Sequence, residues 1–267
     1  MTIRSLGLLG CGNMGEALLK GALFSSPDLS IGVLEKNVDR TQLLQKSYPS
    51  IKPLDSYADL GTYEAIIIAV KPQQFAQASE QLRKGISTTT VIISIAAGIT
   101  LSTIQEAFPA CVCVRVMPNT PALIGKGMTG LSFGASCPTE IQAFVRSLFQ
   151  SIGEITTIPE TLMNALTAIS GSGPAYFYHF IDAMATESMK LGFSYDEAKK
   201  LLTQTMLGSA IMLQQSDKSP TELIRQVTSP GGTTEAAMKI LGASDLGLIL
   251  NNTLHAANNR ADELSRS

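Results

Sequence analysis

Apolar positions fall in short blocks over the first 159 residues and in long helical stripes after them. Residues 5–9 are a short apolar run, 31–34, 65–70, 91–95 and 112–116 are similar β-branched runs, and residues 16–24 repeat apolar side chains at helical spacing. The runs are apolar at successive positions, so both faces of each strand are covered; this predicts a parallel sheet with helices on either side. Segments 102–107 and 140–151 read as further helices, and 129–133 and 154–157 as later strands. Past Pro159 the β pattern stops, and 162–169, 175–191, 196–215, 221–226, 235–241 and 247–264 all carry the helical period. Ser194 with Glu197 and Ser219 with Glu222 have capping-box spacing, the second with Pro220 at the first helical position. The expectation is an α/β half over 1–159 followed directly by an all-helical half over 160–267.

Composition narrows the partners. At 267 residues the chain has room for one or two domains of about 100–200 residues each. Hydrophobic residues make up 45% and charged residues 16%, against about 25% charged in an average soluble protein, which supports a large core. Twenty Lys and Arg against 22 Asp and Glu leave a net charge of −2 with no basic block, so a nucleic-acid partner is not expected and a small-molecule substrate is. Cys11, Cys111, Cys113 and Cys137 form no C-x-x-C pair, which reads as reduced thiols in a cytoplasmic protein. With only His179 and His255 beside them, no metal is expected. Met1-Thr2-Ile3-Arg4 leads straight into the first strand without the pattern of a signal peptide, and no apolar run reaches about 18 residues, so no membrane association is expected either.

The first chemical motif is Gly10-Cys11-Gly12-Asn13-Met14-Gly15, a G-x-G-x-x-G between a strand and a helix. In that setting the first glycine makes the turn, the second lets the backbone approach a pyrophosphate and the third allows close helix packing. Glu35 ends the second strand twenty residues past Gly15, where an acid accepts hydrogen bonds from an adenosine ribose and repels a 2′-phosphate. Lys36 and Asn37 beside it pull the other way, leaving NADPH and NADH both open. The N-terminal half is thus expected to be a Rossmann-like dinucleotide-binding domain. Ala69-Val70-Lys71-Pro72, Ala96-Ala97-Gly98 and Asn119 follow other strands, at the carboxyl ends where open parallel sheets bind ligands. For Asn119, within Met117-Pro118-Asn119-Thr120-Pro121, the alternative is a rigid loop in which it bonds its own backbone.

Two motifs punctuate the helical half. Ser170-Gly171-Ser172-Gly173-Pro174 interrupts a helical pattern, either as a kink or as a close approach to ligand; Tyr176, Phe177, Tyr178 and Phe180 after it read as core. Ser229-Pro230-Gly231-Gly232-Thr233-Thr234 opens a short helix, and exposed N–H groups at such a start form a small anion site suited to a carboxylate.

With these segments in order, the chain resembles the Δ1-pyrroline-5-carboxylate reductases of proline biosynthesis over nearly its whole length. The glycine motif is shared by many dehydrogenases; the Ser170 to Tyr176 and Thr228 to Thr234 motifs at this spacing are specific to the family. The resemblance implies hydride transfer from NADPH, or NADH, to the C=N carbon of a cyclic imine, giving L-proline. It implies helices interlocked with those of a second subunit, hence a homo-oligomer that is at least a dimer, with the active site at the dimer interface. By position, Ser229, Gly231, Gly232 and Thr233 would surround the substrate carboxylate and Thr234 would set its hydroxyl by the ring nitrogen. Glu160 would lie near substrate and nicotinamide, Ser56 and Asn37 near the adenosine phosphate. Glu35 departs from the small or polar residues usual at its position.

Two other readings stay open on the residues alone. A β-hydroxyacid dehydrogenase of similar architecture would need a base, and Lys190 lies far along its helix from Gly173. A nucleotide-sensing protein without turnover would need only the glycine motif, and would have no use for the Ser229 to Thr234 anion site.

Overall fold

The computed structural model describes residues 2–266; Met1 and Ser267 lie outside the described residues. Strands β1 (Ser5–Leu9), β2 (Ser30–Leu34), β3 (Lys52–Pro53), β4 (Ala65–Ile68), β5 (Val91–Ser94), β6 (Val112–Met117), β7 (Gly127–Phe133) and β8 (Gly153–Thr157) form one sheet in the order β3-β2-β1-β4-β5-β6-β7-β8. All pairings are parallel except β6 with β7, which a short connection forces to be antiparallel. Alternate strand residues feed two cores. Leu6, Leu8, Ile67, Ile93 and Val114 pack with Leu18 and Leu19 of α1 (Asn13–Ser25) and with Val145 and Phe149, which belong to a later helix, Thr139–Gln150. On the other face Leu9, Ile66, Ile68 and Ile92 pack against Leu60, Phe75, Leu82 and Ile104. These last four come from α3 (Tyr57–Leu60), α4 (Phe75–Arg83) and α5 (Leu101–Ala107), which follow α2 (Val38–Ser47) in the chain; Thr139–Gln150 is then α6.

The chain divides into two compact units, one of residues 1–172 with 256–267 and one of residues 173–255. Between β8 and the second unit lie a 3₁₀ turn (Glu160–Leu162), α7 (Met163–Leu166) and a π-helical turn (Thr167–Gly171). The segment expected as one plain helix over 162–169 is therefore broken into three geometries, because Ser170-Gly171-Ser172 supplies small residues where the winding changes. The second unit carries α8 (Gly173–Ser188), α9 (Tyr195–Gln215), α10 (Pro220–Gln226), α11 (Thr233–Gly242) and the start of α12 (Leu246–Arg266). Both capping boxes form: Ser194 and Ser219 each accept from, and are answered by, the glutamate three residues on.

Two expectations need correction. Phe177, Tyr178 and Phe180 are not core within this chain but 60%, 63% and 50% exposed, on a unit whose helices also expose Leu201, Leu207, Met212 and Ile224. About eighty residues of amphipathic helix cannot cover that much apolar surface alone. Asn119 does not bond its own backbone: its Oδ1 accepts from Met128 N at 2.9 Å and its Nδ2 donates to Ser170 O at 3.1 Å and Oγ at 3.2 Å. It ties the end of β6 to β7 and to the π turn.

Candidate active site

In the first unit the candidate site is the row of loops at the carboxyl ends of β1, β4, β5 and β6. Strand order turns back at β1, since β2 and β3 lie on one side of it and β4 on the other, and that switch point is where such sheets open a crevice. The glycine motif sits there with each glycine needed for a different reason. Gly10 has φ +83°, the left-handed region that side chains disfavour. A Cβ on Gly12 would meet nothing within 4 Å, so the loop leaves open space over its backbone, whereas one on Gly15 would lie 2.9 Å from Gly10 O. Helix α1 begins at Asn13 with Gly12 as its cap and no capping side chain, so its first N–H groups are left for an outside acceptor. Open space, an uncapped helix start and a left-handed turn fit a dinucleotide pyrophosphate. Met14 is partly buried against the core, Ala69 and Val70 abut Gly10, and Lys71 is exposed before Pro72, which starts a 3₁₀ turn. Beyond β5, Ser94 Oγ accepts from Ala96 N at 3.3 Å, Ala97 follows, and Gly98 turns at φ +78° against Leu264 of α12.

At the end of β2, Glu35 is not loose. Its Oε2 accepts from Cys11 N at 2.7 Å and its Oε1 from Asn37 N at 3.0 Å. Arg40, the nearest arginine, is committed elsewhere: it pairs with Glu16 at 2.5 Å and donates to Cys11 O at 3.0 Å. Lys36 is exposed, and Glu35, Lys36 and Ser56 line one cavity of about 700 Å³. Asn37 and Ser56 prove to be helix N-caps, accepting from Arg40 N and Asp59 N respectively. The Cys11 thiol is buried, which pushes it up to about 12; Arg40 offsets part of that, while Glu16 and Glu35 add to it. It is an unreactive wall of the loop.

A polar chain that the sequence reading missed surrounds Glu160. Arg115, on β6 and 3% exposed, pairs through Nη1 with Glu160 Oε1 at 2.6 Å and donates through Nη2 to Asn164 Oδ1 at 2.9 Å. Asn164 in turn donates to Asp262 Oδ1 of α12 at 2.7 Å. The signal was in view: an arginine inside Val112-Cys113-Val114-Arg115-Val116 must find partners when the strand is buried.

In the second unit, taken by itself, the candidate loop is the Ser229 to Thr234 turn. Gly231 holds φ +71° and donates its N–H to Glu235 Oε2 at 2.8 Å, so its part is the turn rather than a free donor. Gly232 caps α11 with no side-chain acceptor, and a Cβ there would lie 2.5 Å from Ser229 Oγ. The first-turn N–H groups, beginning with Thr233 and Thr234, are thereby presented to an anion, with Thr234 half-buried and Thr233 exposed. No group of acidic, cysteine or histidine side chains among the described residues is arranged to hold a metal, and no helix among them is long and apolar enough to cross a membrane.

Comparison with known proteins adds the following. Residues 160–264 match the family described as pyrroline-5-carboxylate reductase dimerisation, and residues 5–98 the family described as NADP oxidoreductase, coenzyme F420-dependent. The chain is 38% identical over 244 residues to pyrroline-5-carboxylate reductase 2 of Bacillus subtilis, covering 90% of this chain and 87% of that one. Among solved structures, a pyrroline-5-carboxylate reductase from Coxiella burnetii superposes with a TM-score of 0.92 at 30% identity over 100% of both chains. A pyrroline carboxylate reductase from Plasmodium falciparum with NADP bound gives 0.85 at 28% identity, over 99% of this chain and 100% of that one.

Proposed function

The chain belongs to the pyrroline-5-carboxylate reductase family, and on that premise we propose how its own residues carry the reaction. It is an NAD(P)H-dependent oxidoreductase that reduces 1-pyrroline-5-carboxylate to L-proline, the last step of proline biosynthesis. The observation that carries the mechanism is the pair of uncapped helix starts, at Gly12 and at Gly232, one suited to a dinucleotide pyrophosphate and the other to a small carboxylate.

The reduced nicotinamide cofactor supplies the hydride that adds to the C=N carbon. Gly10, Cys11, Gly12, Asn13, Met14 and Gly15 cradle its pyrophosphate; Glu35, Lys36, Asn37 and Ser56 meet the adenosine end. Ala69 to Pro72, Ala96 to Gly98 and Asn119, at the strand ends, would complete its binding surface. NADPH is the form that the resemblance favours, with a preference tempered by the anchored Glu35 carboxylate beside which its 2′-phosphate must be accommodated, and NADH is the other form it would take. Ser229, Gly232 and Thr233 border the substrate carboxylate on the turn that Gly231 makes, Glu160 borders the substrate, and Thr234 is the catalytic residue, its hydroxyl orienting the ring nitrogen. A protonated imine is already electrophilic, so orientation and exclusion of water suffice and no strong base is needed.

The functional division falls at residue 159/160, with dinucleotide binding before it and substrate binding and dimerisation after it. The protein acts as a homo-oligomer, at least a dimer, which the exposed apolar residues of α8 and α9 support. Its location is the cytoplasm, a reading supported by four cysteines that are all unpaired. Following absorbance of the reduced nicotinamide with the imine added to pure protein tests the reading: imine-dependent loss is expected, and none with either cofactor overturns it.

A further inference from the structure

Cys11 stands inside the glycine motif with both of its backbone polar groups held by side chains from outside the motif. Its N–H donates to Glu35 Oε2 at 2.7 Å, and its C=O accepts from Arg40 Nε of α2 at 3.0 Å. Arg40 is itself fixed along its length: Asn37 Oδ1 accepts its backbone N–H at 3.1 Å, and its Nη2 pairs with Glu16 Oε2 at 2.5 Å. Tyr48 OH donates to the other oxygen of Glu16 at 3.0 Å, so the carboxylate that anchors the guanidinium is anchored in turn.

The C=O and N–H of a trans peptide point in opposite directions, so the carbonyl of Cys11, turned toward α2, sends the N–H of Gly12 the other way. Gly12 is exposed, with open space over its backbone, and its N–H has no acceptor among the described residues. Glycine alone does not secure that arrangement. A flip of the peptide joining Cys11 to Gly12 would carry φ of Gly12 from −69° to a positive value, which a glycine tolerates, and would present a carbonyl oxygen where an anion is to bind.

We propose that Arg40 is a positioning residue for the dinucleotide: its Nε holds the Cys11 carbonyl, so that Gly12 N–H faces the pyrophosphate. This rests on the dinucleotide-binding reading of the glycine motif. It differs from the part that an arginine near the adenosine ribose invites, direct contact with a 2′-phosphate. Two observations favour holding the loop. The guanidinium charge is already matched by Glu16, and Arg40 does not line the cavity that Glu35, Lys36 and Ser56 share.

Two substitutions separate the bond to Cys11 from the ion pair. Glutamine carries its side-chain nitrogen at the place where arginine has Nε, so Arg40→Gln keeps a donor for Cys11 O and loses the cation. Lysine has a methylene there and its ammonium beyond it, so Arg40→Lys keeps a cation for Glu16 and loses the donor. Calorimetry on the pure protein reads the result with ADP-ribose, which carries the pyrophosphate, and with adenosine 2′-phosphate, which carries none. Arg40→Lys is expected to raise the Kd of ADP-ribose about tenfold, the lower end for a hydrogen bond from a charged group. The constants of NADH and NADPH should rise by the same factor, with that of adenosine 2′-phosphate unmoved. Arg40→Gln should keep the ADP-ribose constant within about twofold of wild type while lowering the thermal midpoint, since Glu16 loses its counter-ion. The proposal is overturned if Arg40→Lys leaves the ADP-ribose constant where it was, or if Arg40→Gln weakens ADP-ribose as much as Arg40→Lys does. It is also overturned if the adenosine 2′-phosphate constant rises with the others, which would make Arg40 a phosphate ligand or a support for α2 as a whole. A wild-type protein that fails to bind ADP-ribose would overturn the dinucleotide reading itself, a result distinct from all of these.

Discussion

The carboxylate of Glu35 accepts the backbone N–H of Cys11 at 2.7 Å, so the acid that ends β2 is fastened to the first peptide inside the glycine motif. A second backbone donor, Asn37 N at 3.0 Å, fixes its other oxygen. An anion held from both sides cannot swing away from an incoming 2′-phosphate, and Arg40, which could have balanced it, is already paired with Glu16. Glu35→Ser is therefore expected to raise kcat/KM for NADPH relative to NADH by about ten- to a hundredfold, the scale of relieving one like-charge contact. Steady-state rates with both cofactors check it, and an unchanged ratio would show that the phosphate binds clear of Glu35.

Thr234 and Thr233 make a matched pair for assigning the catalytic hydroxyl. Thr234 is half-buried in the first turn of α11, and Thr233 beside it is exposed. Thr234→Ala should lower kcat about ten- to a thousandfold, the loss expected for one positioned polar contact, with cofactor affinity unchanged. Thr233→Ala keeps its backbone N–H and should stay near wild type. The reverse pattern would move the role to Thr233.

Buried thiols predict the alkaline limit of stability. Burial pushes Cys11 and Cys113 up to about 12 and Cys137 up to about 11, while a thiol in the unfolded chain ionises near about 8.5. Between those values the unfolded state binds fewer protons than the native one, so stability falls as pH rises. The contribution is whole below about pH 8.5 and is lost progressively as pH rises through 11 to 12. Urea midpoints should hold steady at neutral pH and decline above about pH 9, less steeply in Cys113→Ala. A profile equally steep in that variant would assign the decline to other groups.

The exposed apolar residues of α9 predict assembly. Leu207 and Met212 are 52% and 61% exposed in the single chain. Light scattering should find at least a dimer, and Leu207→Asp should shift the population to monomer, because a carboxylate cannot be buried there without a partner. A wild-type monomer at assay concentration would contradict this.

Much of this was legible in the chain. The short apolar runs marked β1, β4, β5 and β6 because strands buried on both faces show no alternation with polar residues. The capping boxes at Ser194 and Ser219 announced the starts of α9 and α10. β3, a two-residue strand at Lys52–Pro53, left no periodic signal. The π turn was hidden because its residues have helical composition and differ only in winding. In the site, the glycine motif and Glu35 could be found by spacing, but the grip on Glu35 depends on a backbone N–H, which carries no residue type. The Arg115, Glu160, Asn164 and Asp262 chain joins positions up to 147 residues apart, and only the fold brings them together. Asn119 was visible as a stiff loop residue, while its partners, Met128 N and Ser170, were not.

The most direct test of the account follows the hydride itself. NADH carrying deuterium at both C4 positions is incubated with the protein and 1-pyrroline-5-carboxylate, and the product is examined by mass and by NMR. The account predicts L-proline with one deuterium per cofactor oxidised, placed on the ring carbon that had been double-bonded to nitrogen. Unlabelled proline, or cofactor oxidised without proline formed, would contradict it.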